Sequence, residues 1–229
     1  MTKKTLFISR DLEQNQNFVS SLNAHFVEVV GLSLIDFVAI NFDFLPDSDW
    51  IFFYSQNAVK YFFQNKFFQK NKKISENVKI AALGKKTAEA IKSYGFDTNF
   101  VGSGNIENVA KLFLKAAKNK VILFPQATNS RESIEKILDD QIVSKKLCVY
   151  SNTPKVDFVI PYCDFLVFTS PMNVVTFNSK YLFLPKQMIF AIGESTQKEL
   201  QKVTHRDILV SENSDLDSLL HLVLKQLAQ

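Results

Sequence analysis

The chain has 229 residues, enough for one large or two small domains, and its 46% hydrophobic and 22% charged residues exclude a disordered polymer. A formal net charge of +4 is mild and scattered, which suits an anionic ligand and gives no basic surface for nucleic acid. With 6 glycines against 22 phenylalanines, little room is left for a glycine-rich cofactor loop.

In chain order, KTLFIS (4–9) is an apolar run too short for a helix, and a polar turn and an amphipathic stretch follow it. The opening MTKKTLFIS has too short an apolar run for a signal peptide. FVEVVGLSLIDFVAI is broken by Glu28 and Asp36, so it does not span a membrane. Within it, LSLIDFVAI (32–40) has no helix after it. DWIFFYS (49–55) and VKIAALG (78–84) each read as a buried strand, a turn and a helix, and IENVAKLFLKA continues as a further helix. KVILFPQ (120–126) starts another strand–helix unit, and LCVYSNT (147–153) again lacks a following helix. DFLVFTS (164–170), MIFAIGES (188–195) and the stretch ending LDSLLHLVLKQ complete the chain. Two cysteines, Cys148 and Cys163, read as reduced thiols, and the expected location is the cytoplasm.

The chain repeats itself. DWIFFYSQNAVKYFF (49–63) recurs as DFLVFTSPMNVVTFN (164–178), residues 78–116 recur as 188–226, and 4–22 recur as 120–138. In this register Ser9 corresponds to Pro125 and Ser55 to Ser170. Alternating strands and helices at this spacing predict an α/β fold with two similar parallel-sheet domains, helices on both faces, and a two-stranded linker. The first domain is expected over 1–31 plus 156–229 and the inserted one over 38–149, with linker strands at 32–40 and 147–155. Expected helix caps are Ser55 or Asn57, Thr87, Asn105, Ser170, Ser195 or Thr196, and Ser214 or Asp215; Gly95 marks a helix end.

Motifs of covalent or cofactor chemistry are missing. GKKT (84–87) resembles the end of a phosphate-binding P-loop, but Lys79 stands where that loop needs its first glycine and Lys86 where it needs a hydroxyl. GSG (102–104) lacks a third glycine, and His25, His205 and His221 have no ligand-spaced partner, so neither cofactor nor metal is expected. What remains is a set of hydroxyls at strand-to-helix turns: Ser9, Ser55, Thr87, Ser170, Ser195 and Thr196. Any one of them alone is best explained as a cap. Together they fall at the C-terminal ends of parallel strands, where helix N-termini offer N–H groups and a positive dipole end to anions. Two such domains predict a ligand with many negative groups.

FFYSQNAV (52–59), AALGKKTAEAI (81–91), VILFPQATNSRESI (121–134), VYSNTP (149–154), FTSPMNV (168–174) and AIGESTQKEL (191–200) stand in an order that resembles the uroporphyrinogen-III synthase family. The resemblance implies two α/β domains joined by a two-stranded linker and a reaction without cofactor. It implies the substrate hydroxymethylbilane, with eight carboxylates, closed to uroporphyrinogen III with ring D inverted through an azafulvene and a spiro intermediate. VYSNTP resembles the family segment carrying Tyr150, the candidate acid for the leaving hydroxyl; the competing reading is a packed strand tyrosine. Thr87, Ser170, Ser195, Thr196 and Ser55 match family turn positions, and Ser9, Arg10 and Arg131 stand where a carboxylate could be met. Asp11 and Glu194 depart from the family pattern by placing negative charge at such turns. A monomer with transient contact to porphobilinogen deaminase is the expected setting, with neither nucleic acid nor membrane as partner. The readings from other classes are a non-catalytic two-lobed binder of a polyanion and a sugar-nucleotide transferase. The transferase would need a glycine-rich turn or an acidic metal motif, and the sequence has neither.

Overall fold

The computed structural model describes residues 4–12, 16–71 and 74–227. The chain divides into two compact units: unit 1, Met1–Asp36 with Thr153–Gln229, and unit 2, Phe37–Asn152. Unit 1 begins with β1 (Lys4–Ile8), α1 (Gln16–Asn23) and β2 (Val27–Gly31), and the chain leaves it along β3 (Ile35–Ala39). Unit 2 contains β4 (Trp50–Phe53), α2 (Gln56–Phe63), α3 (Lys66–Asn71), β5 (Lys79–Ala82), α4 (Lys85–Ser93), β6 (Phe100–Val101), α5 (Ile106–Ala117), β7 (Val121–Ala127) and α6 (Ser133–Leu138). The return runs along β8 (Val143–Pro154). Unit 1 is completed by β9 (Phe165–Phe168), α7 (Pro171–Asn178), β10 (Met188–Ala191), α8 (Glu194–Val203), β11 (Ile208–Val210) and α9 (Leu216–Leu227).

The sheets are ordered β2-β1-β9-β10-β11 and β3-β8-β7-β4-β5-β6, and they are built of parallel pairs. The exception is the β3–β8 pair. Ile40 N–H donates to Val149 O and Lys155 N–H to Leu34 O, both at 2.9 Å, so residue numbers rise on one strand as they fall on the other. That antiparallel ribbon is the expected two-stranded linker.

The apolar runs form central strands because both of their faces are covered. All four residues of WIFF in β4 and of FLVF in β9 are buried. Alternation sends Ile51 and Phe53 into one core of unit 2, and Trp50 and Phe52 into the core on the other face. In unit 1, Leu166 and Phe168 face one core and Phe165 and Val167 the other. Each such side chain contributes about 1.5–3 kcal/mol when fully buried. The Asp that heads each repeat also has a structural task. Asp49 Oδ2 accepts the Val121 N–H and Asp164 Oδ2 accepts the Thr5 N–H, both at 2.8 Å, so the start of each neighbouring strand is satisfied identically in the two units.

Ser55, Asn105 and Ser170 cap their helices with their side chains, and Asp215 Oδ1 accepts the Ser218 N–H at 2.8 Å at the start of α9. Gly95, at φ +85°, follows the end of α4 in the left-handed region that glycine tolerates. Three expected caps are corrected. Thr87, Ser195 and Thr196 lie within the first turns of α4 and α8, and the N-cap positions belong to Gly84 and Gly193. A helix entered through glycine has no capping oxygen, so neither helix start is closed by a side-chain hydrogen bond of its N-cap.

Candidate functional site

Unit 2 holds a cavity of about 290 Å³ at the C-terminal ends of β4 and β7 and the start of α2. Tyr54, Ser55, Gln126, Arg131, Glu132 and Tyr150 are among its lining residues. Position along the strands explains this set. Tyr54 and Ser55 follow the last residue of β4, Gln126 lies near the end of β7, and Tyr150 lies on β8. Thr128 N–H donates to Tyr150 O at 3.1 Å, which ties the β7–α6 loop to that strand.

Tyr150 is 8% exposed and stacks on Tyr61 at 5.1 Å between ring centroids, with Phe37 tilted against its ring at 6.0 Å. Burial pushes its phenol above the ordinary value; the Ser55 hydrogen bond opposes this and the Tyr61 charge reinforces it. The phenol therefore stays protonated at neutral pH and can donate. Ser55 is doubly used, since its Oγ also accepts the Ala58 N–H at 3.2 Å. Tyr150 is thus packed among rings and at the same time lines the cavity.

Three lining or adjacent residues escaped the sequence. Tyr54 donates its hydroxyl proton to Glu135 Oε2 and accepts the Ile134 N–H at 2.8 Å, which fastens the end of β4 to α6. Glu135 is 7% exposed and its Oε1 has no partner; burial is the largest cause of its raised carboxyl pKa, against the lowering effect of Tyr54. Gln126 is 3% exposed and its Oε1 is likewise without a hydrogen-bond partner. The signal was present in the repeat: Tyr54 corresponds to Thr169 and Gln126 to Arg10, so both break the symmetry of the two units. The loop wall is constrained too. Glu132 sits at φ +53°, a strained conformation for a side chain of its size, and ion-pairs with Lys146 at 2.8 Å. That bond holds the Glu132 carboxylate below its usual pKa.

The remaining predicted residues divide by surroundings. Arg131 is exposed where it lines the cavity, and its carbonyl accepts from Lys136 Nζ at 2.8 Å. Thr87 is 6% exposed in the first turn of α4. In unit 1, Ser9 is 1% exposed, and its Oγ accepts the Thr169 N–H at 2.8 Å. Thr169 Oγ1 returns a bond to Ser9 O at 2.9 Å. Ser170 Oγ accepts from Asn173 Nδ2 at 2.8 Å, and Asn173 Oδ1 accepts the Leu34 N–H at 2.9 Å. Arg10 is half-buried after β1. Ser195 is exposed and Thr196 only 1% exposed in the first turn of α8. There Glu194 pairs with Lys198 at 2.7 Å, and this bond lowers its carboxyl pKa, so the charge that departs from the family pattern is locally balanced. Among the described residues no cluster of His, Cys, Asp and Glu could hold a metal ion.

The profile described as "Uroporphyrinogen-III synthase HemD" matches residues 16–221. No curated protein sequence matches the chain. Among solved structures, the fold is similar to uroporphyrinogen-III synthetase from Helicobacter pylori, with TM-score 0.73, 19% identity and coverage of 98% of this chain and 100% of that one. It is also similar to a mutant uroporphyrinogen III synthase from the extremely thermophilic bacterium Thermus thermophilus, with TM-score 0.62, 13% identity and coverage of 99% of both chains.

Proposed function

The chain belongs to the uroporphyrinogen-III synthase family, lyases of tetrapyrrole biosynthesis that act on hydroxymethylbilane, and from that premise we propose which of its residues carry the reaction. The observation that carries the proposal is the unit-2 cavity, where a protonated, buried Tyr150 stands beside the α2 N-terminus.

The chemistry asks little of side chains and much of position. Hydroxymethylbilane carries eight carboxylates and a terminal hydroxyl whose loss leaves an electrophilic azafulvene. Attack on it by the substituted carbon of ring D gives a spiro intermediate, which fragments and recloses with that ring inverted. Left free, the linear chain closes without inversion, so the protein must favour one geometry of the two ends. Backbone N–H groups at the glycine-capped starts of α4 and α8 are suited to the acid arms, as no N-cap side chain competes for them. Thr87 in the one, and Ser195 and Thr196 in the other, stand in those first turns. Arg131 at the cavity and Arg10 after β1 supply cations for carboxylates. Tyr150 donates to the departing hydroxyl, and its raised pKa makes it a hydrogen-bond donor first and a proton donor only as the C–O bond breaks. Ser55 and Ser170 shape the turns by capping α2 and α7.

The setting follows from the substrate. Its linear form is reactive, which favours direct delivery by transient contact with porphobilinogen deaminase. Free Cys148 and buried free Cys163 suit the reducing cytoplasm, and we place the protein there as a monomer. Among the described residues no helix is long and apolar enough to cross a membrane.

The test is a product-isomer assay. Porphobilinogen deaminase generates hydroxymethylbilane in situ, the protein is added, and the oxidised uroporphyrins are separated by chromatography. A shift from type I to type III is expected. Type I alone from folded protein would return the chain to a non-catalytic binder of polyanions.

A further inference from the structure

We propose that Tyr61 is a positioning residue for the reaction: its ring, stacked on Tyr150, fixes the plane in which the Tyr150 hydroxyl offers its proton to the departing oxygen. This role rests on the synthase reading with Tyr150 as the donor, and Tyr61 acts only through Tyr150.

A phenol's oxygen lies on the axis about which its ring turns, and conjugation keeps the O–H bond in the ring plane. Turning the ring therefore leaves the oxygen in place and swings the proton. For tyrosine that torsion is broad and roughly two-fold, so the side chain by itself sets the direction of its proton only loosely. Neighbouring rings narrow it at Tyr150. The Tyr61 ring lies 5.1 Å away between centroids and within 23° of parallel, and Phe37 is tilted by 46° at 6.0 Å. A turn of the Tyr150 ring would drive its edge into the stacked Tyr61 face. All three residues belong to unit 2.

Tyr61 is itself held in place. It lies in α2, whose Ala58, Val59, Phe62 and Phe63 are buried, and its hydroxyl donates to Phe37 O at 3.3 Å. Burial raises the Tyr61 phenol above its ordinary value, so it keeps the proton that makes this bond. The same helix begins at Ser55, whose side chain hydrogen-bonds the Tyr150 phenol. One packed helix thus restrains the Tyr150 oxygen through Ser55 and its ring plane through Tyr61. As the substrate C–O bond breaks, its electron pair leaves with oxygen, which takes the Tyr150 proton and departs as water. The phenolate regains the proton that the ring system loses on closure. Transfer is fast only when the O–H points at the departing oxygen, and a misplacement of about 1 Å can cost about 100-fold. A ring left free to turn would offer the proton in that direction only part of the time, which lowers kcat and spares substrate binding.

Tyr61→Leu keeps an apolar side chain that suits a helix and removes the ring. In the isomer assay with synthetic hydroxymethylbilane, kcat for type III product should fall about 10-fold, with KM changed less than about threefold. Tyr61→Phe keeps the stack and should hold kcat within about threefold of the parent. Tyr150→Phe keeps its own ring, removes the proton and should slow turnover about 100-fold. In that background Tyr61→Leu should cost less than about twofold, since no proton is left to aim. A merely structural Tyr61 would cost the same factor in both backgrounds, and that outcome overturns the proposal while the synthase reading stands. So does a folded Tyr61→Leu enzyme with kcat within about twofold of the parent, or a Tyr61→Phe enzyme that falls as far as Tyr61→Leu. Thermal midpoints establish folding, and if Tyr61→Leu does not fold, Tyr61→Met, unbranched and adaptable, takes its place in the cycle. An unchanged rate in Tyr150→Phe overturns the donor and its positioning residue together. A parent protein that yields only type I product overturns the synthase reading as well.

Discussion

Apart from the added β3, the two units run the same strand order and start their central strands with the same Asp-to-backbone bonds, yet they end those strands differently. In unit 1, Ser9 and Thr169 exchange hydrogen bonds across β1 and β9 and draw the two strand ends together. In unit 2 the corresponding residues are Pro125 and Tyr54. Proline has neither hydroxyl nor N–H to reciprocate, and the Tyr54 ring reaches instead to Glu135 and the Ile134 N–H. The cavity lies at this end of unit 2, with Tyr54 and Gln126 on its wall. One backbone thus yields a strand end closed by its own hydroxyls in unit 1 and one open to the cavity in unit 2.

The largest expected effect comes from breaking the open end. Tyr54→Phe leaves the Ile134 N–H and the Glu135 carboxyl without their shared partner. At about 1–3 kcal/mol for each stranded buried group, the loss should be roughly 2–4 kcal/mol. Urea denaturation of the parent and the variant measures it. A loss under about 0.5 kcal/mol, the scale of a neutral surface change, would mean that the tyrosine does not fasten β4 to α6.

Glu135→Gln should act more gently and with a definite pH signature. Burial is the largest cause that raises the folded-state pKa of Glu135 above its ordinary value of 4.5, so the folded protein holds this proton more tightly than the unfolded chain. Stability then falls as pH rises from near 4.5 toward the raised value, with a limiting slope of about 1.4 kcal/mol per pH unit. Glutamine cannot ionise. The variant should match the parent in acid and exceed it increasingly on going to neutral pH. Unfolding free energies compared from about pH 4 upward check this, and parallel profiles would show that Glu135 ionises without penalty.

The fold was legible because its signals are local and doubled. Runs such as WIFF and FLVF read as strands from one copy and are confirmed by the other, and 32–40 and 147–153 stood out by lacking helices. The candidate site was legible only where chemistry coincides with a turn, as at Ser55, or with a family segment, as at Tyr150. Tyr54, Gln126 and Glu135 were hidden because their roles depend on burial and on contacts across 81 residues of sequence, as between Tyr54 and Glu135. A tyrosine after an apolar run looks like core, and a glutamine at a strand end looks like surface. The glycine caps at Gly84 and Gly193 were missed for another reason: capping preference ranks hydroxyls alongside or above glycine, and here the helix starts are left open.

The closed end of unit 1 gives the smallest and most selective effect. Ser9→Ala removes the acceptor of the Thr169 N–H and one partner of its hydroxyl, and no cavity-lining residue is touched. The cost should be about 1–2 kcal/mol, one buried donor deprived of its bond, partly recovered because Thr169 Oγ1 still donates to the Ser9 carbonyl. Turnover in the isomer assay should stay within about twofold, since the hydroxyl is spent on the fold rather than offered to a ligand. If stability is unchanged and turnover falls tenfold, Ser9 belongs with the substrate-binding turns, and the two strand ends are less different than their hydrogen bonds suggest.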